Sequence, residues 1–104
     1  MPVYSLDTIH EVAQDKNKVI LLGRKVEIDV TNLGYFKAKV AACLRELHKS
    51  DFHKTIYYED TKLTFDVYKT KCHSPLGEVD DIYIKLKLNY KGEVFVEIGS
   101  FHLL

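Results

Sequence analysis

The stretch Ile-Tyr-Ile-Lys-Leu-Lys-Leu-Asn-Tyr at residues 82–90 alternates between aliphatic side chains and polar or aromatic ones. Successive side chains of a β-strand point to opposite faces of its sheet, so this pattern predicts a strand whose aliphatic side chains lie in the core. Tyr83, Lys85 and Lys87 then project from the opposite face. The stretch therefore predicts a sheet with one buried face and one face that displays groups capable of chemistry.

The segments around this strand predict further strands. Residues 52–58 and 63–71 mix large apolar side chains with hydroxyl and charged groups on either side of a polar turn at 59–62, which predicts a hairpin. From Val94 onward, alternate apolar residues continue a core face in the last strand. Gly99-Ser100 interrupts that alternation and predicts a β-bulge near the C-terminus.

The N-terminal half predicts two helices and two short extended segments. Apolar residues recur at helical spacing over residues 6–15, where Ser5 is a suitable N-cap, and over residues 36–49. Residues 19–22 are typical of a short buried strand, and β-branched side chains alternate with polar ones over residues 26–30. We expect an α+β fold in which two helices pack on one face of an antiparallel sheet.

Length and composition predict a single soluble domain over residues 1–104. Hydrophobic residues make up 46% and charged residues 29% of the chain, as is usual for a globular protein. No apolar stretch reaches the roughly 18 residues of a membrane span, and no secretion signal is recognised, so we expect a cytoplasmic protein without membrane contacts. Cys43 and Cys72 lack metal-ligand and disulfide-rich spacing, and reduced thiols are expected.

Four segments together resemble one protein family. They are Ser50-Asp51-Phe52-His53-Lys54, Asp66-Val67-Tyr68-Lys69, Tyr83-Ile84-Lys85-Leu86 and Ser100-Phe101-His102. Their order and spacing are similar to those of the motility quorum-sensing regulator (MqsR) toxins, and the resemblance spans residues 50–102. It implies a RelE-like fold, messenger-RNA endonuclease activity and a cognate antitoxin that neutralises the toxin.

The resemblance also implies three catalytic residues. The family's catalytic lysine falls on Lys54, its strand tyrosine on Tyr83, and its C-terminal basic residue on His102. Phe65 occupies the position of a glutamine in the family. The alternative to an active enzyme is therefore a degenerate relative that acts only as a protein-binding module.

The side chains themselves fit RNA cleavage. Attack of a 2′-hydroxyl on the neighbouring phosphate needs a proton acceptor, a proton donor and cations for the charge of the phosphorane. Lysine suits the charge, tyrosine suits positioning or proton transfer, and histidine suits acid–base work near neutrality. Aromatic rings can also stack on unpaired bases. The residues expected to bind RNA are Lys85, Lys87, Tyr57, Tyr58 and Tyr68.

Other reactive groups have simpler explanations. A lysine on the solvent face of a strand is usually only a solvated or edge-protecting residue. Asp66 is expected to accept hydrogen bonds or to pair with a lysine, and His53 and His73 are expected to be surface residues. A zinc site with Cys72 and His73 lacks a recognised ligand spacing, so neither a metal nor another cofactor is expected.

The resemblance and this chemistry together predict an mRNA interferase, the toxin of a type II toxin–antitoxin pair, which leaves a 2′,3′-cyclic phosphate and a 5′-hydroxyl. Its expected partners are single-stranded mRNA and an antitoxin with a helix-turn-helix or zinc-binding domain, and DNA is contacted only through that antitoxin. The formal net charge is zero, whereas nucleic-acid binders are more often basic. Any RNA site must therefore come from local clustering of lysines.

Overall fold

Three α-helices pack on one face of a five-stranded sheet in the computed structural model, which describes residues 1–104. The helices are α1 (Leu6–Val12), α2 (Arg24–Asn32) and α3 (Lys37–Arg45). The strands are β1 (Val19–Leu21), β2 (Phe52–Tyr58), β3 (Leu63–His73), β4 (Val79–Asn89) and β5 (Phe95–Leu103), in the sheet order β1-β5-β4-β3-β2. Only β1 runs parallel to its neighbour; the other pairs are antiparallel. The predicted α+β class is confirmed, with a third helix added.

The third helix, α2, replaces the extended segment predicted over residues 26–30. Val26 and Val30, one helical turn apart, are 4% and 3% exposed, whereas Ile28 between them is 46% exposed. Three β-branched residues at alternate positions fit a strand, but the outer two also have the i, i+4 spacing of one helix face, and burial against the sheet selects the helix. Gly34 follows α2 at a φ of 80°, a left-handed conformation that glycine adopts without strain.

Both predicted helices form, but each ends earlier than expected. Ser5 caps α1 as predicted, yet the helix stops at Val12 rather than near residue 15. The second predicted helix, α3, ends at Arg45 rather than near residue 49. A separate 3-10 turn follows it, in which the Asp51 carboxylate accepts a hydrogen bond from the His48 N–H at 2.9 Å. This local side-chain bond competes with continuation of the helix.

The aliphatic side chains of β4 form the centre of the core, as predicted. Ile82, Ile84 and Leu86 are fully buried and Leu88 is 3% exposed. Burial of each such side chain stabilises the fold by about 1.5–3 kcal/mol, so this one strand holds a large share of the hydrophobic free energy. The helices cover this face of the sheet, and the core that contains these four side chains also includes buried residues of all three helices.

Two β-bulges set the register of the sheet. In β5, Ser100 pairs with Lys85 but Ile98 pairs with Leu86, so Gly99 is an extra residue. This bulge confirms the one predicted at Gly99-Ser100. A second bulge, which was not predicted, makes His53 an extra residue of β2.

Asp66 is a fully buried carboxylate on the side of the hairpin that faces the helices. Its oxygens accept hydrogen bonds from the N–H groups of Val3 at 3.1 Å and Tyr4 at 2.8 Å and from the Thr55 hydroxyl at 2.6 Å. Three donors offset the cost of removing the charge from water. The carboxylate thus fastens the N-terminal segment and β2 to β3, and the expected structural role of Asp66 is confirmed.

Replacement of Asp66 by alanine should lower the free energy of unfolding by about 2–4 kcal/mol, because it removes three hydrogen bonds to a charged acceptor. Urea denaturation followed by circular dichroism measures the change. Glu59→Ala, in the exposed turn of the same hairpin, is the matched control and should shift the value by less than about 0.5 kcal/mol. Equal stability of the two variants would show that Asp66 does not fasten these segments.

Candidate active site on the open face of the sheet

The candidate site lies on the sheet face turned away from the helices, which we call the open face. Two cross-strand rows bring its groups together. In one row, Lys54 on β2 pairs with Val67 on β3, Val67 pairs with Lys85 on β4, and Lys85 pairs with Ser100 on β5. In the next row, Lys69, Tyr83 and His102 are neighbours across β3, β4 and β5. The lysines, the tyrosine and the histidine predicted from the sequence therefore share one face.

Tyr83 and His102 form a stacked pair. Their ring centroids are 4.8 Å apart and their planes differ by 10°. The Nδ1 atom of His102 lies 2.9 Å from the carbonyl oxygen of Leu103. Because a carbonyl oxygen only accepts hydrogen bonds, Nδ1 must carry the proton in this contact, and Nε2 of the neutral ring keeps its lone pair. The geometry leaves Nε2 able to accept a proton.

Lys85 is held above two aromatic rings. Its Nζ donates a hydrogen bond to the Tyr58 hydroxyl at 2.8 Å and lies 4.9 Å from the Tyr58 ring centroid and 5.2 Å from that of Phe65. Cation–π attraction at such distances contributes about 0.5–1 kcal/mol at exposed sites and more when the cation is desolvated. The ammonium group therefore has a fixed position on the open face.

Lys87 is already paired within the protein. Its Nζ lies 3.0 Å from Glu97, whose carboxylate also accepts a hydrogen bond from Asn89 at 3.0 Å. Burial by itself raises the pKa of Glu97, but the hydrogen bonds from Asn89 and Lys87 outweigh it and lower the pKa. The charge of Lys87 is thus largely neutralised, which reduces its capacity to attract phosphate.

Two of the tyrosines predicted to stack on RNA bases are not on the open face. Tyr68 is fully buried, its ring packs edge-on against Phe52, and burial is the main cause that raises its pKa to about 12. Tyr57 is exposed, but it neighbours Tyr58 along β2 and points to the opposite side of the sheet. The prediction of an RNA-stacking role is therefore wrong for Tyr68, and of the three tyrosines only Tyr58 joins this site.

The structure adds two groups that sequence reasoning missed, His53 and Lys69. Both are exposed, and Lys69 pairs with Tyr83 across β3 and β4. The pKa of His53 is lowered, by partial loss of hydration and then by the positive charges of Lys69 and Lys54. Alternation along β3 puts Lys69 on the same face as Phe65 and Val67. Because those two residues are apolar, the sequence did not indicate that this face is the open one.

The remaining reactive groups form no second constellation. No group of three or more His, Cys, Asp or Glu side chains is arranged to hold a metal ion. Cys43 and Cys72 are free cysteines, and both are buried. None of the helices is long and apolar enough to cross a membrane.

Comparison with known proteins identifies a family for nearly the whole chain. A family model described as motility quorum-sensing regulator, toxin of MqsA, matches residues 1–102. The match includes the four segments that carry the resemblance and extends it to the N-terminal helices. No curated protein matches the chain.

The packing of Lys85 against Phe65 leaves no room for a side chain at Gly99. A β-carbon there would lie 3.0 Å from Lys85 Cε and 3.0 Å from a ring carbon of Phe65. Gly99→Ala should therefore lower the free energy of unfolding by about 1–3 kcal/mol through overpacking. A double-mutant cycle with Phe65→Leu tests whether contact with Phe65 causes this loss of stability. The smaller leucine leaves room for the added methyl group, so Gly99→Ala should destabilise the Phe65→Leu protein less than the wild type. An equal cost in both backgrounds would contradict the shared packing.

Proposed function

The chain belongs to the motility quorum-sensing regulator family of toxins, and we propose that it cleaves single-stranded mRNA on the open face of its sheet. Membership makes it a toxin of a toxin–antitoxin system. The observation that carries the ribonuclease proposal is the Tyr83–His102 stack, in which Nε2 of His102 is free to accept a proton. Lys54 and Lys85 supply positive charge on the same face.

The proposed reaction needs only groups of this face. Nε2 of His102 takes the proton of the 2′-hydroxyl as the 2′-oxygen forms a bond to phosphorus. The ammonium groups of Lys85 and Lys54 stabilise the charge on the phosphorane. The bond from phosphorus to the 5′-oxygen then breaks, and the leaving oxygen receives a proton from the Tyr83 hydroxyl. A proton passed from the His102 imidazolium to the tyrosinate restores both groups, and the products are a 2′,3′-cyclic phosphate and a 5′-hydroxyl.

Base binding in this proposal relies on few aromatic rings. Tyr58 is the aromatic side chain of β2 on the open face, and the hydrogen bond from Lys85 fixes its hydroxyl. A fixed ring loses little conformational entropy when a base stacks on it. We therefore assign base stacking to Tyr58 and phosphate binding to Lys85, with Lys87 in a lesser role because of its ion pair with Glu97.

The cognate partner in this proposal is an antitoxin protein. It carries a helix-turn-helix domain, a zinc-binding domain or both, and the toxin meets DNA only through it.

One observation favours the alternative function, a degenerate relative that only binds protein. Phe65 stands where the family has glutamine, and the residue is 6% exposed. It offers no hydrogen bond to RNA and contributes to the site by packing against Lys85 and Tyr58. A folded protein that binds an antitoxin but never cleaves RNA would support this alternative.

Lys54→Ala should reduce the rate of RNA cleavage about 10²-fold or more, because it removes a cation from the charge that develops in the transition state. The melting temperature should stay nearly unchanged, since the Lys54 side chain is exposed and forms no ion pair in the structure. Cleavage of a labelled single-stranded RNA gives the rate, and Lys37→Ala on α3 is the matched control. Unfolding of the Lys54→Ala protein would instead make this lysine structural.

His102→Ala should lower turnover more than RNA affinity, because one neutral imidazole adds little to phosphate binding. The pH–rate profile of the wild-type protein should contain a limb that the variant loses, because the variant lacks the proton-accepting imidazole. Phe101→Ala provides the contrast: this side chain is fully buried, and its loss should lower stability by about 3–5 kcal/mol. Wild-type turnover of His102→Ala at every pH would remove His102 from the site.

A further inference from the structure

The bulge in β2 changes what the open face presents. Phe52 pairs with Tyr68 on the helix side, Lys54 pairs with Val67 on the open face, and His53 is inserted between them without a partner in β3. A bulged residue breaks the strict alternation of the strand and re-aims its side chain. His53 and Lys54 are therefore released from the rule that neighbours point to opposite faces. Both side chains are exposed.

His53 lies between Phe52 and Lys54, and Lys69 follows Tyr68, the β3 partner of Phe52, so the register brings the imidazole and two lysines to one region of the sheet. The charges of Lys69 and Lys54 are among the causes that lower its pKa, after partial loss of hydration. Lys69 is on the open face, since it pairs with Tyr83, which stacks on His102. The imidazole therefore lies on the β2 side of the row that Lys69, Tyr83 and His102 form across β3, β4 and β5.

No carboxylate forms an ion pair with this cluster. Asp81 shares the open face, two residues before Tyr83 on β4, but its carboxylate accepts a hydrogen bond from Lys71 at 2.7 Å. Asp66, the nearest acidic residue of β3, faces the helices and is held by three donors. Asp51, before β2, accepts hydrogen bonds from the His48 N–H and the Thr70 hydroxyl. Lys54 and Lys69 take part in no ion pair of the structure, whose three ion pairs involve Lys25, Lys71 and Lys87. Unpaired positive charge is concentrated here in a chain of zero net charge.

We infer that His53 and Lys69 form a second phosphate subsite, which binds the RNA backbone phosphate next to the scissile phosphate that Lys54 contacts. The inference rests on the proposed ribonuclease function and gives the RNA strand a path across the sheet from β5 towards β2. Lys69 contributes a permanent charge, and His53 contributes a charge that depends on pH. A bound phosphate favours the protonated imidazole, so RNA affinity gains from His53 as the pH falls through its titration.

The test uses a fluorescent 2′-O-methyl RNA of mixed sequence, which lacks the attacking hydroxyl and cannot be cleaved by the proposed route. Its affinity for the full-length protein is measured by anisotropy over a series of salt concentrations, at about pH 6 and about pH 8. The variants are Lys69→Gln and His53→Gln. The matched controls are Lys37→Gln on α3 and His73→Gln, an exposed histidine at the far end of β3.

Lys69→Gln should weaken RNA binding about tenfold and reduce the salt slope by about 0.7, the value for one lost phosphate contact on a single strand. Lys69→Arg should restore both values, because the charge is kept. His53→Gln should bind like the wild type at the higher pH and lose the gain in affinity at the lower pH. The two controls should keep the wild-type affinity, salt slope and pH dependence.

Two results would overturn the subsite, and they differ in what they say about the enzyme. If the wild type cleaves unmodified RNA while Lys69→Gln and His53→Gln bind the probe like the controls, the subsite is wrong and the ribonuclease function stands. If the wild type neither binds the probe nor cleaves RNA, the proposed function fails and the subsite fails with it.

Discussion

Side chains of β4 alternate between the helix-packed face and the open face, and the rest of the structure conforms to that alternation. The aliphatic half of the strand requires a layer of helices over it, while the other half places Tyr83 and Lys85 on a face that no helix covers. The bulge at Gly99 lets β5 follow the same division. Ile98 and Phe101, three residues apart, are both buried because of it, and His102 lies against Tyr83. Without the extra residue, the alternation would turn Phe101 outward and His102 into the core.

The positive charge of the open face depends on which carboxylates already have partners within the protein. The chain has equal numbers of acidic and basic residues, which argues against a nucleic-acid site if charge is only counted. The Asp66 carboxylate accepts hydrogen bonds from backbone and hydroxyl donors within the fold, and the Glu97 carboxylate accepts them from Lys87 and Asn89. Lys54 and Lys69 are left without acidic partners. Local pairing, not net charge, therefore gives this face its affinity for phosphate in the proposed function.

The sequence predicted the parts of the fold that follow from periodicity. The core face of β4, the hairpin of β2 and β3, the cap at Ser5 and the bulge at Gly99 are confirmed. Residues 26–30 were assigned wrongly because β-branched residues at alternate positions also allow a helix face, and only tertiary packing decides between the two. Tyr68 was misplaced for a related reason: both faces of β3 carry apolar side chains, so alternation alone could not tell which face is covered. The bulge at His53 has no glycine to mark it, and its consequence for the site became visible only in the register of the strands.

The chemistry of the product ends tests the central claim most directly. Purified protein would be incubated with unmodified single-stranded RNA of mixed sequence in excess EDTA, and the new termini would be identified by end-labelling and mass spectrometry. Because lysine, tyrosine and histidine side chains supply the proton transfers and the charge, we expect cleavage to proceed and to leave a 2′,3′-cyclic phosphate and a 5′-hydroxyl. Cleavage that stops in EDTA and resumes with magnesium, or that leaves a 3′-hydroxyl and a 5′-phosphate, would contradict catalysis by these residues.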